Sequence, residues 1–160
     1  MASNSQLPYE ISKEEDQSYT FVTKHGITYH AYFLDYNGYH PAFTDVYTFN
    51  IEPEDDRPHP IDKRIALTVV HILQMFFRRH ENAMIMICDN LDGKEMKRER
   101  LFSRWFAAYN DGSIRKYDAS VSSDNYMLYV SLYLHKANPR QQDLVRAFYE
   151  LVKNELYPID

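Results

Sequence analysis

The sequence predicts an α+β fold: a mixed, mainly antiparallel sheet with helices on both faces. Three observations predict it. Apolar residues recur at three- and four-residue steps through Ile65, Ala66, Val69, Ile72, Leu73, Phe76 and Phe77, one face of a helix that starts near Asp62 and runs to Arg79. The run Ala83-Met84-Ile85-Met86-Ile87-Cys88, ending at Asp89, has no alternation, which suits a central strand covered on both faces. Lys94 to Tyr109 then returns to helical spacing, with Leu101, Phe102, Trp105, Phe106 and Tyr109 as its stripe.

The remaining elements follow in order. Residues 1–18 are polar and acidic and read as a lead-in, with a short segment near Tyr9-Glu10-Ile11; residues 19–160 read as a single domain. Tyr19 to Thr23 alternates, and Lys24-His25-Gly26 is a hairpin turn with Gly26 free to take positive φ. Ile27 to Tyr36 returns, Asn37-Gly38 turns the chain, and Val46 to Ile51 is a third strand. Pro53, Pro58 and Pro60 break the segment that follows, and Asp62 is placed to cap the first helix. After the central helix-strand-helix unit, Asn110-Asp111-Gly112 is a stop signal. Ser113 to Ser120 and Tyr126 to His135 are the last two strands. Asn138-Pro139 opens a final helix that buries Leu144, Val145, Phe148, Leu151 and Val152. The order is therefore βββ-α-β-α-ββ-α.

Composition limits the function classes. A chain of 160 residues with 44% hydrophobic residues can build a proper core. A formal net charge of -5 disfavours a general nucleic-acid binder, which needs a basic surface. One cysteine, Cys88, excludes an internal disulfide and fits a reducing compartment. No leader-like apolar run opens the chain, and no apolar run approaches the roughly 20 residues of a membrane helix. A cytoplasmic location without a membrane partner is the expectation. The seven histidines show no close-spaced metal pair, so no metal site is expected. Among the charged residues, Lys97, Arg100 and Arg104 form a basic strip, and Glu54 to Asp56 an acidic loop. Lys116 and Asp118 share one strand face and read either as an ion pair or as the lining of a pocket with Asp89 and Asn90.

The order of elements from Tyr19 to His135 resembles the core of the GNAT-type N-acetyltransferase superfamily. The whole chain also resembles an uncharacterised bacterial family associated with Bacteroidota. The first resemblance implies a pyrophosphate-binding loop at the first helix, with Arg or Gln, two residues, Gly, one residue, then Gly or Ala. Ile61-Asp62-Lys63-Arg64-Ile65-Ala66 aligns with it, and only Ala66 fits. Arg64 stands at the glycine and Asp62 adds negative charge, while Lys63 and Arg64 could meet phosphates directly. Asn90 matches a polar residue common after the central strand. The position of the family's proton-donating Tyr is Phe102, which has no proton to give.

Two functions follow. One is a non-catalytic or divergent binding module with no cofactor. The other is an acyl-CoA-dependent N-acyltransferase with an altered cofactor loop. That enzyme would take acetyl-CoA on Lys63, Arg64, Ala66 and Asn90, with Asp89 or Asp118 as base. Whether the chain is an enzyme stays open on sequence. Tyr29, Phe33, Tyr129 and Tyr133 lie on alternating strand faces, and fourteen tyrosines exceed what one core needs, so some are expected to form an exposed aromatic patch and, through it, a homodimer or a protein partner. Trp105 is expected in the core.

Overall fold

The computed structural model describes residues 7–15, 17–55, 57, 62–89, 103–104, 106–122 and 127–154. The strands are β1 (Ser12–Lys13), β2 (Ser18–Val22), β3 (Thr28–Asp35), β4 (Val46–Pro53), β5 (Ala83–Asp89), β6 (Ile114–Ser122) and β7 (Met127–His135). Helix α1 spans Lys63–Phe77 and α2 spans Gln141–Asn154; residues 103–104 and 106–109 are also helical. The fold is α+β, with one mixed, mostly antiparallel sheet in the order β1-β2-β3-β4-β5-β7-β6. The alternation predicts six strands, and among the described residues the sheet has seven. The extra one, β1, pairs Ser12 with Thr20 and Lys13 with Tyr19. Two exposed residues carry no periodicity to read.

The chain divides into two compact units, Met1–Leu34 with Phe49–Arg78, and Asp35–Thr48 with Arg79–Asp160. In the first, the predicted hairpin forms: Gly26 takes φ +76 and its N–H donates to Thr23 O at 2.9 Å. Asp62 caps α1 as expected, its carboxylate accepting the Arg64 N–H at 2.9 Å. The apolar stripe of α1 is buried through Ala66, Val69, Ile72, Phe76 and Phe77. Phe33 of β3 stacks on Phe76 with ring centroids 4.2 Å apart.

In the second unit, β5 runs parallel to β4 at Val46↔Ala83, Tyr47↔Met84 and Thr48↔Ile85, and antiparallel to β7 along its whole length. One face of β7 buries Val130, Leu132 and Leu134 in a cluster with Ala83, Ile85, Leu144, Phe148 and Leu151. The other face presents Tyr133, whose ring meets Phe106 edge-on at 5.2 Å. Asn138 accepts the Arg140 N–H at 2.8 Å, and α2 begins at Gln141, two residues after the proline that announces it.

The four aromatics named for an exposed patch are not exposed. Tyr29, Phe33 and Tyr133 are buried, and Tyr129 is half-buried. Strand alternation assigns a side chain to a face but not what packs beside it: Tyr29 stacks at 5.3 Å on Phe21, its cross-strand neighbour. The core takes up these tyrosines, while Tyr39, Tyr109 and Tyr149 are exposed. Trp105, Leu101 and Phe102 lie outside the described residues, as do Lys97 and Arg100 of the basic strip and Asp56 of the acidic loop.

One contact in the second unit makes stability pH-dependent. His80, in the turn after α1, stacks on His135 with centroids 3.8 Å apart. His135 Nδ1 accepts the Ala137 N–H at 2.9 Å, a bond that protonation of Nδ1 would remove. Burial, then His80, then Lys136 lower the His135 pKa below the ordinary histidine value, with Asp111 opposing. A lowered folded pKa means the unfolded chain binds the proton first. The stabilisation is then complete above about pH 6.5 and is lost as pH falls through the folded value. The urea midpoint should drop on acidification below about pH 6.5, and drop less in His135→Gln. An equal drop in both proteins would show that the stacked pair contributes nothing.

Candidate functional site

The start of α1 is where phosphate chemistry is expected, because the first N–H groups of a helix have no intrahelical acceptor. Here the chain fills that place itself. Asp62 Oδ1 accepts the Arg64 N–H, and Oδ2 accepts the Tyr9 hydroxyl. Burial, then the Asp62 bond, push the Tyr9 pKa above the ordinary phenol value, so it stays a donor at neutral pH. The Tyr9 hydroxyl also accepts the Lys24 N–H at 3.1 Å. The Tyr9 N–H donates to Thr68 Oγ1 at 2.7 Å, and that hydroxyl donates in turn to Arg64 O at 2.6 Å. Arg64 lies over the Tyr9 ring, 3.9 Å from its centroid, and its Nε donates to Leu7 O at 2.8 Å. An arm of residues 7–9 is thereby strapped across the first turn of α1. Asp62 places a carboxylate, and the strap an aromatic ring, where an anion would approach.

A second polar cluster lies on β6 and β7. Lys116 Nζ is 3.3 Å from Asp118 Oδ1, the ion pair expected from their shared face. The same oxygen accepts the Ser131 hydroxyl at 2.6 Å from across the ladder, where Asp118 is in register with Ser131. Lys116 also donates to Ser103 Oγ at 3.0 Å and lies 5.9 Å from the Tyr133 ring centroid. Asp118 Oδ1 thus has two donors from its own strand pair. Among the described residues, no group of three or more His, Cys, Asp or Glu could hold a metal ion.

The expected site residues fall into separate places. Lys63 is exposed at the start of α1, Arg64 is half-buried under the strap, and Ala66 is buried in the first unit. Asp118 and Asp89 belong to the second unit, on strands with β7 between them. Asp89 is in register with Leu128 and Asp118 with Ser131, so their backbones are on the order of 14 Å apart. Asn90 lies outside the described residues. Tyr9 and Thr68 are the participants that sequence reasoning misses. The only local hint is the short Tyr9-Glu10-Ile11 segment, and nothing in spacing links Tyr9 to a residue 53 positions away.

A family profile described as a family of unknown function, DUF6169, matches residues 61–150, more than half of the chain. The chain belongs to this family. The DUF6169 match takes in all of α1, β5, β6 and β7 and most of α2, and with them Lys63, Arg64, Ala66, Asp89, Asn90 and Asp118. It begins after β4, so the arm that straps α1 lies before the matched span. No curated protein and no solved structure matches the chain. Among the described residues, no helix is long and apolar enough to cross a membrane.

Proposed function

We propose that this chain is a cytoplasmic, non-catalytic binding module of GNAT-like layout from a Bacteroidota family, with its cofactor position closed from within. The layout is supported by the β4–α1–β5 crossover between parallel strands and by the β6–β7 hairpin that follows. The loss of the cofactor is supported by one observation above the others. Asp62 occupies the α1 N-terminus, held by Arg64 N–H on one oxygen and by Tyr9 on the other. A fixed carboxylate at the positive end of a helix repels a pyrophosphate and consumes the N–H that would bind it.

Titration calorimetry with acetyl-CoA tests this reading. No binding heat is expected, and no rise in melting temperature. A ligand at a hundred times its dissociation constant would instead add about 2.7 kcal/mol. Low-micromolar binding that disappears in Arg64→Glu would overturn the reading. It would promote the acyl-CoA-dependent acyltransferase, with Lys63 and Arg64 on the phosphates and Asp89 or Asp118 as base.

A further inference from the structure

We propose that β6 pairs with β6 of a second copy of this chain, antiparallel about a two-fold axis at Tyr117. Strand β6 ends the sheet order, and among the described residues its one strand neighbour is β7. At the opposite end β1 has two residues, too few to template a partner strand.

The phase of the β6–β7 ladder decides which main-chain groups face outward. Lys136 N–H donates to Ser113 O at 2.8 Å, so that pair, and every second pair after it, is of the hydrogen-bonded kind. Odd positions of β6 therefore point their backbone groups at β7, and even positions point theirs at the edge. Side-chain contacts agree. The Asn110 amide donates to Ile114 O at 2.9 Å and accepts Ile114 N–H at 3.3 Å, and the Tyr149 hydroxyl reaches Asp118 O at 3.4 Å. Asn110 closes the Ile114 end of the edge. Tyr149 makes one long contact to a carbonyl that has a second lone pair. The outward groups left for pairing are those of Lys116, Asp118, Ser120 and Ser122.

Charge selects both partner and register. A lysine on an edge strand ordinarily discourages pairing. Self-pairing must match even positions with even ones, because those carry the outward groups. Centred on Lys116 or on Asp118, it sets like charges directly opposite one another, which is destabilising. Centred on Tyr117, it sets each Lys116 opposite Asp118 of the other copy, two opposite-charge pairs related by the axis. Among the registers that match even positions with even ones, that one alone sets opposite charges face to face. This pairing does not depend on the closed start of α1.

Sedimentation of the full chain over a dilution series tests it. The mass should rise from 19.1 kDa toward twice that value. Asp118→Lys turns both attractive pairs repulsive and should weaken the dimer about tenfold or more. Lys116→Asp combined with Asp118→Lys restores opposite charges across the axis and should restore association. Amide exchange of the unaltered chain is the independent measurement: Lys116 and Asp118 N–H should slow as concentration rises. A mass of 19.1 kDa at every concentration overturns the proposal. So does an Asp118→Lys dimer of unchanged strength, or a double variant that does not associate. Protection of those amides that is independent of concentration also overturns it, and assigns the edge to cover by the chain itself.

Discussion

Phe148→Ala is expected to destabilise the second unit by about 3–5 kcal/mol, the largest effect of any single substitution discussed for that unit. Phe148 is fully buried and comes from α2, in the cluster that also holds Leu132, Leu144 and Leu151. Its ring meets Tyr149 edge-on at 5.0 Å, and Tyr149 is an exposed residue that cannot fold inward to fill the space without leaving its contact with Asp118 O. Ala147 and Val152, buried in the same cluster, are too small to close a phenyl-sized void. Urea unfolding followed by amide exchange in β5 and β7 reads the loss. A change below about 1 kcal/mol would mean that α2 does not seal this face, since a fully buried phenyl cannot be removed so cheaply.

What was legible in the sequence follows from the range over which each signal acts. Helix α1 is legible because its stripe and its cap are local: Asp62 needs only the N–H two residues on. Strand β5 is legible because a run buried on both faces shows no alternation. The Lys116–Asp118 pair is legible because positions i and i+2 share a strand face. Ser131 is not, because its place opposite Asp118 depends on the β6–β7 register, set between two strands and not within one. The tyrosines mislead for a related reason. Alternation puts Tyr133 on a face, but the ring that covers it, Phe106, comes from elsewhere in the chain; Tyr29 is packed by Phe21 directly across the β2–β3 ladder. At the candidate site the local half is legible, Asp62 at the helix start and Arg64 beside it. The strap is not, because one aromatic in a polar stretch carries no period.

The strap makes the second strong prediction. Tyr9→Ala should cost the first unit about 3 kcal/mol or more, although Tyr9 sits in a segment whose composition reads as a lead-in. The ring is buried, stacks on Phe21 with centroids 6.0 Å apart, and carries the Arg64 guanidinium on its face. Its removal opens a cavity beside α1, frees Arg64 from its platform and leaves Asp62 Oδ2 without its hydroxyl donor. Tyr9→Phe separates these effects, because it keeps the ring and deletes the donor. That variant should lose about 1.5–3 kcal/mol, the range for one hydrogen bond to a charged acceptor. Neither variant should gain acetyl-CoA binding, since Asp62 still caps the helix in both. Thermal and urea unfolding of the two variants beside the unaltered chain decide the division. If Tyr9→Phe lost as much as Tyr9→Ala, the hydroxyl–carboxylate bond alone would hold the arm. The ring's burial would then be a consequence of that bond, with little stabilising force of its own.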